Sequence, residues 1–254
     1  ELIFPLSQHI GPPCAPLVNV GDEVVIGQKI ADSQARLTSP IFASISGKVT
    51  AIGPAAAPNG AQVQAIFITA DGKNTSLPFT GLSAQEQASP EKILEAVHQA
   101  GIVGMGGAGF PAQVKFSPPP TDTIDTVILN GAECEPYLTC DYRLMLEDPR
   151  TIIKGLECML QLFPAAKGII GIECNKPKAI ESMMKACEGM QRITVQPLQT
   201  KYPQGGEKQL IYALTKREVP SGGLPSNVGC IVSNAAPARA IGIAVAQGTP
   251  LIRR

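Results

Sequence analysis

Tryptophan is absent from this chain of 254 residues, histidine occurs twice, and no two of its seven cysteines are spaced as C-x-x-C. Each gap removes a class of chemistry. The cysteines stand at 14, 134, 140, 158, 174, 187 and 230, no two closer than six residues, whereas iron–sulfur and zinc sites are built on closely spaced thiolates. They read as reduced thiols packed as small hydrophobes, with Cys134 and Cys140 set apart by their place in the richest motif of the chain. His9 and His98 both lie outside the motif blocks, so no histidine-centred catalytic site and no metal site is expected. An excess of one charge is lacking too. The 21 basic residues balance 21 acidic ones, and without a basic stripe nucleic acid is not an expected partner. No window approaches the ~18 uninterrupted apolar residues of a spanning helix, and no signal peptide opens the chain. Membrane association is therefore expected to run through partner subunits. The 44% of hydrophobic residues that remains is enough for two cores.

Glycine, by contrast, is plentiful and concentrated. Gly104-Met105-Gly106-Gly107-Ala108-Gly109-Phe110-Pro111 keeps Cβ atoms out of the way, so several backbone N–H groups can converge on one anion. Lys115 supplies a cation close behind. Gly104, Gly106 and Gly109 also fit G-x-G-x-x-G, a dinucleotide fingerprint that should follow a strand and open a helix. Here a helix comes first. Ser89-Pro90 reads as N-cap and first helical residue, Ile93, Leu94, Val97 and Ala100 recur at helical spacing, and Gly101 stands where a helix-ending glycine belongs. Pro111 and Pro118-Pro119-Pro120 leave little room for a long helix afterwards. The ordinary dinucleotide reading fails on that context. A glycine-rich turn alone is usually a packing device, and Lys115 is what tips this one toward a phosphate.

Asp125 to Leu129 reads as a buried strand, ending in Asn130-Gly131-Ala132-Glu133-Cys134-Glu135-Pro136-Tyr137. Polar groups at the C-terminal end of a parallel strand face the crevice where α/β proteins bind ligands. Beyond it, Asp148-Pro149 caps a helix bearing Ile152, Ile153, Leu156, Met159 and Leu160, and a strand follows at Gly168 to Ile172. A helix from Ala179 to Cys187 turns Ile180, Met183 and Met184 inward, and a strand at Ile193 to Val195 leads to a helix from Glu207 to Leu214. This alternation predicts a mostly parallel sheet with right-handed crossovers, with Gly205-Gly206 at a helix N-terminus suited to an anion or a polar ring edge.

Residues 1–75 have another texture. Gly21 to Ala31, Ser39-Pro40 and Ser46-Gly47-Lys48-Val49 read as short strands punctuated by Gly and Pro turns. This segment resembles the barrel-sandwich fold of biotinyl and lipoyl carrier domains. Carriers present an acceptor lysine on a hairpin, where this chain has Ser33-Gln34-Ala35-Arg36. Arginine cannot form the amide, so a docking module is expected rather than a carrier.

Tyr202-Pro203-Gln204-Gly205-Gly206-Glu207-Lys208 and Ile231-Val232-Ser233-Asn234-Ala235, taken with the blocks above and the opening Phe4-Pro5-Leu6-Ser7-Gln8-His9-Ile10-Gly11, carry a close resemblance. Over essentially its whole length the chain resembles the C subunit of the Rnf electron-transport complex, itself similar to the flavoprotein subunit of respiratory complex I. The resemblance implies an α/β, Rossmann-like FMN-binding domain with a mostly parallel sheet over residues 85–254. It implies that Gly104, Gly106, Gly107, Ala108, Gly109 and Lys115 hold the FMN phosphate. Asn130 and Glu133 would contact the flavin, with Tyr202, Gly205, Gly206, Asn234 and Ala235 completing its cavity. Phe110, Phe116, Glu135 and Glu207 would serve NADH. Ala132 and Gly206 stand where complex I has an aspartate and a glutamate.

The implied activity is that of an NADH-dehydrogenase-type flavoprotein, passing hydride from NADH to FMN and electrons on to iron–sulfur centres within a membrane-bound, ion-translocating complex. No general base is expected, since the cofactor supplies the chemistry and the protein supplies alignment. The implied partners are the other Rnf subunits, including the iron–sulfur B subunit, and the implied place is peripheral, on the cytoplasmic face of the bacterial inner membrane. The family continues into a domain with two 4Fe-4S clusters, which a chain stopping after Gly248-Thr249-Pro250-Leu251 does not reach, so a truncated chain is expected. Two alternatives stay open at this point. One is a cobalamin reductase of bacterial microcompartments, and the other is a non-catalytic assembly scaffold, suggested by Ala132 and Gly206.

Overall fold

The computed structural model describes residues 1–57 and 60–252. The chain divides into two compact units. The first comprises residues 1–82, 95–114 and 244–254, and the second 83–94 and 115–243. The partition is therefore not a cut at one point in the sequence, because both the glycine-rich loop and the C-terminal segment fall in the unit that contains the N-terminal strands.

Unit 1 is built on antiparallel strands. Strands β1 (Leu2–Pro5), β7 (Gln62–Ala70), β6 (Gly47–Ala56) and β3 (Glu23–Val24) lie side by side in that order. A smaller sheet runs β2 (Ala15–Pro16), β4 (Lys29–Asp32), β5 (Ile41–Phe42). Phe4, Val24, Ile30, Ile41, Val49, Ile66 and Ile68 fill one core between them. The start of β6 alternates buried and exposed residues, as a strand with one face in the core should. The turn after β4 is held by its own polar groups, with Ser33 N–H donating to Asp32 Oδ1 (2.8 Å) and Ala35 N–H to Ser33 Oγ (3.2 Å).

Unit 2 is an α/β layer. Its sheet has the order β10 (Ile193–Leu198), β9 (Lys167–Glu173), β8 (Thr126–Gly131), β11 (Cys230–Asn234), all parallel. Helices α4 (Pro149–Leu162), α5 (Pro177–Ala186) and α6 (Glu207–Thr215) connect successive strands. The first two connections carry the chain toward one edge, and the third returns it past β8. The order therefore reverses between β8 and β11, and such a reversal opens a crevice at the carboxyl ends of the two strands. Strand β8 is buried along its whole length, which is why its sequence runs apolar rather than alternating.

Helix α1 (Pro90–Gln99) begins where the sequence places it, with Ser89 Oγ accepting the Lys92 N–H (3.3 Å) and Gly101 turning at φ +65°. Short α2 (Ala112–Lys115) follows the glycine-rich loop. Several sequence expectations shift. Strand β8 extends through Asn130 to Gly131. Met184, expected on the inner face of α5, is 46% exposed, and Ala179 and Met183 make the buried stripe. Asp148 does not cap α4 with its side chain. Its carboxylate instead accepts from Arg239 Nε (2.7 Å) and the Thr151 hydroxyl (2.6 Å). Two helices carried no sequence signal, α3 (Cys140–Glu147) and α7 (Ala235–Gln247). Helix α7 is apolar nearly all round and packs closely on α4, where a Cβ on Gly155 would collide with the carbonyl of Ala238. Among the described residues no helix is long and apolar enough to cross a membrane.

Candidate functional site: strand ends and a glycine-rich loop

At the sheet reversal in unit 2, Asn130 and Asn234 are register partners at the ends of β8 and β11. The two asparagines differ in what surrounds them. Asn130 is buried, its Nδ2 donating to the Gly205 carbonyl (2.9 Å) and its Oδ1 accepting from Ala132 N–H (3.1 Å). It therefore laces the 202–206 loop to the end of β8. Gly205 completes the lacing by donating its N–H to Cys134 Sγ (3.3 Å). A Cβ at Gly205 would collide with the carbonyl oxygen of Ala132, so this glycine is required by loop packing. Gly206 is the N-cap of α6, and its N–H is taken by the Pro203 carbonyl (2.9 Å). Asn234 is half-buried, and Ala235, the first residue of α7, is fully buried.

Glu133 is a helix cap supplied from outside the helix. Its carboxylate accepts the N–H groups of Asp141 (3.0 Å) and Tyr142 (3.2 Å) and the Cys140 thiol (3.2 Å), at the first turn of α3. A carboxylate there satisfies orphan amides and suits the positive end of the helix dipole. The bond to Glu133 pushes the Cys140 thiol above its ordinary range. Asp141 is pushed up to about 6, first by burial and then by the neighbouring Glu133, while the Ala236 N–H acts in the opposite direction. Behind this pair, Lys176 Nζ donates to the Glu133 carbonyl (2.8 Å) and lies 3.6 Å from the buried carboxylate of Glu173. Sequence reasoning missed Asp141, Glu173 and Lys176. The only local sign of Asp141 was an acidic residue opening a helix whose cap lies in another segment.

Lys115, at the end of α2, donates to the Val232 carbonyl (3.0 Å) and stands 3.4 Å from the Glu207 carboxylate. Glu207 opens α6 and is exposed. Tyr202 and Glu135 are also exposed, and a hydrogen bond to Glu135 raises the Tyr202 phenol above its usual range. Phe116 is 4% exposed, so its ring packs in the interior and offers no open face for stacking.

In unit 1, the glycine-rich loop is closed at its base by Gly104 N–H donating to the Phe110 carbonyl (2.8 Å) and by a bridge between Val103 and Pro111. Gly106, Gly107 and Ala108 are exposed at its tip, and Phe110 is half-buried. Gly109 turns at φ +62°, and a Cβ there would come 3.0 Å from the Gln8 carbonyl. Among the described residues nothing lies within 4 Å of where a Cβ on Gly107 would stand. The loop borders a cavity of about 1040 Å³, whose walls also include Phe4, Gln8, His9, Phe42 and Ile252. Among the described residues, no group of three or more His, Cys, Asp or Glu side chains could hold a metal ion.

The family matches divide the chain differently from the two compact units, since the glycine-rich loop of unit 1 falls within the FMN-binding-domain match. Residues 97–242 match the Nuo51 FMN-binding domain, and residues 1–73 match the RnfC barrel sandwich hybrid domain. The chain is 49% identical, over its full length, to the C subunit of a proton-translocating ferredoxin:NAD(+) oxidoreductase complex of Clostridium ljungdahlii, of which it covers 56%. It is 43% identical to the C subunit of the Na(+)-translocating ferredoxin:NAD(+) oxidoreductase complex of Acetobacterium woodii, covering 57% of that protein. The C subunit of an ion-translocating oxidoreductase complex of Vibrio cholerae is 41% identical and covered over 33% of its length. The chain thus spans about half, or less, of the curated relatives it matches. Among solved structures, an NAD+-reducing [NiFe]-hydrogenase aligns with TM-score 0.52 and 25% identity, over 63% of this chain and 31% of the hydrogenase chain. The chain therefore belongs to the Nuo51 FMN-binding domain family, here preceded by an RnfC-type barrel sandwich hybrid domain.

Proposed function

We propose that the chain is the FMN-dependent, NADH-oxidising part of an Rnf-type ion-translocating oxidoreductase. The observation that carries this reading is the sheet reversal, where Asn130 and Asn234 end neighbouring strands beside the first turn of α6 and the ammonium of Lys115. The strand order supports a Rossmann-like description of the domain.

Each unit, taken by itself, carries groups suited to part of a flavin mononucleotide. In unit 1, Gly104, Gly106, Gly107, Ala108 and Gly109 form a loop with an exposed tip and open space over Gly107, suited to a phosphate. In unit 2, Lys115 supplies a cation, and Asn234 and Tyr202 supply polar edges, while Asn130, Glu133, Gly205, Gly206 and Ala235 shape the loops that hold them. When bound, the flavin supplies two-electron acceptance from NADH and one-electron delivery onward. Glu207, Glu135 and Phe110 are the residues that would meet the nucleotide. Lys115 neutralises a phosphate, and the buried lacing through Asn130 fixes the 202–206 loop so that alignment costs little ordering on binding. No side chain here is assigned to move a proton.

The names of the relatives favour this reading over a cobalamin reductase or a decayed scaffold. The further assignments follow from the same family. The partners would be the other Rnf subunits, the iron–sulfur B subunit among them, at the cytoplasmic face of the membrane, with 4Fe-4S clusters held outside the present residues and residues 1–75 serving to dock. Reconstitution with FMN followed by anaerobic mixing with NADH tests the proposal. Bleaching of bound flavin by NADH supports it. Failure to retain FMN, or retention without bleaching by NADH or NADPH, overturns the NADH-oxidising reading.

A further inference from the structure

Unit 2 has a second concavity, beside the 202–206 loop. It lies between edge strand β10 and helix α6, a groove of about 620 Å³ lined by Lys201, Lys208, Lys216, Gln204, Tyr212 and Glu218 among others. Its charge is one-sided, three ammonium groups against one carboxylate, in a chain that is neutral overall. Two of the lysines are anchored. Lys208 Nζ donates to the Pro220 carbonyl (3.1 Å), and Lys216 Nζ donates to the Ala213 carbonyl (3.3 Å) while standing 5.5 Å from the centre of the Tyr212 ring. An ammonium has three donors, so each keeps capacity for a ligand while its position is fixed.

We propose that this groove binds a small molecule carrying a phosphate or pyrophosphate, held on the lysines. The groove volume lies within the range of small-molecule sites, roughly 300–1,000 Å³. Lysine is a common point-charge ligand for phosphate. The proposal does not depend on the flavin site.

Calorimetric titration of the FMN-saturated chain with ADP, pyrophosphate and adenosine tests it. ADP and pyrophosphate should bind and adenosine should not, with affinity falling as salt is raised. The surface double variant Lys201→Gln/Lys216→Gln should weaken ADP by about tenfold or more, equivalent to roughly 1.4 kcal/mol. Lys115→Met, which alters the flavin region alone, should leave ADP binding unchanged. No binding of ADP at millimolar concentration overturns the proposal. So does ADP binding that is lost in Lys115→Met and kept in the double variant, since the ligand would then occupy the flavin or NADH region. The double variant changes only exposed side chains, so a loss of ADP binding in it reports on the groove and not on folding.

Discussion

The ammonium of Lys115 and the carboxylate of Glu207 are 3.4 Å apart, with the Val232 carbonyl holding the same ammonium at 3.0 Å. On the proposed assignment, a phosphate arriving at Lys115 would compete with Glu207, and the displaced carboxylate would become free for nucleotide hydroxyls. Glu207→Ala should therefore leave FMN affinity unchanged or tighter while weakening NADH by about 1–3 kcal/mol, the worth of a charge-assisted hydrogen bond. Flavin fluorescence titration and stopped-flow bleaching report the two affinities separately, and a larger loss for FMN than for NADH would contradict the assignment. Lys115→Met should lower FMN affinity by a comparable energy.

Two glycines of the loop should respond differently to the same change. Gly109→Ala forces a side chain into φ +62° with the Gln8 carbonyl 3.0 Å away, and should cost about 1–2 kcal/mol of stability in chemical denaturation. Gly107→Ala meets open space and should leave the unfolding midpoint unchanged. Weakened FMN binding in the Gly107 variant would therefore report on the ligand directly. Unchanged FMN binding in that variant would show that the loop tip does not touch the phosphate.

Asp141 makes stability depend on pH in a definite direction. Its carboxyl is pushed from 3.8 up to about 6, chiefly by burial. A group raised in this way contributes stability below its unfolded value, and that contribution is lost as pH rises through the folded value. Asp141→Asn should therefore raise Tm relative to the parent above pH 6, by an energy on the order of 1–3 kcal/mol, with the advantage shrinking toward pH 4. Parallel melts between pH 4 and 8 measure it. An advantage that grows as pH falls would show the sign to be wrong.

Close packing of α4 on α7 sets a further expectation. Gly155→Ala would drive a Cβ into the Ala238 carbonyl, a backbone atom that cannot swing aside. The variant should lose about 1–3 kcal/mol, as overpacked cores do, with no selective effect on ligand affinity per folded molecule. Thermal melting alongside FMN titration separates the two effects.

The sequence carried the regular elements well and the lacing poorly. Helix α1 was legible because Ser89, Pro90 and Gly101 bracket the apolar repeat and signal locally. Strand β8 was legible because a short apolar run bounded by polar turns has few other readings. Helix α3 was not, since its cap is the Glu133 carboxylate, brought there by the fold. Helix α7 lacked the amphipathic period that marks a surface helix. The same distinction divides the candidate residues. Gly205 and Asn130 do come together at the strand end, but by bonding to each other, a relation between distant segments that no spacing in the chain encodes. Phe116, which the resemblance puts beside NADH, is buried, and burial is a property of the fold that residue type does not encode.

The register of Asn234 beside Asn130 also has a bearing on how the protein is made. Strand β8 waits for its neighbour β11 until two intervening strands and their helices have been synthesised. Contacts so distant along the chain are slow to close, and a ribosome delivers β11 well after β8. The crevice at the strand ends is thus completed only once β11 is in place, so a nascent chain should become able to retain cofactor only after β11 has left the ribosome and docked.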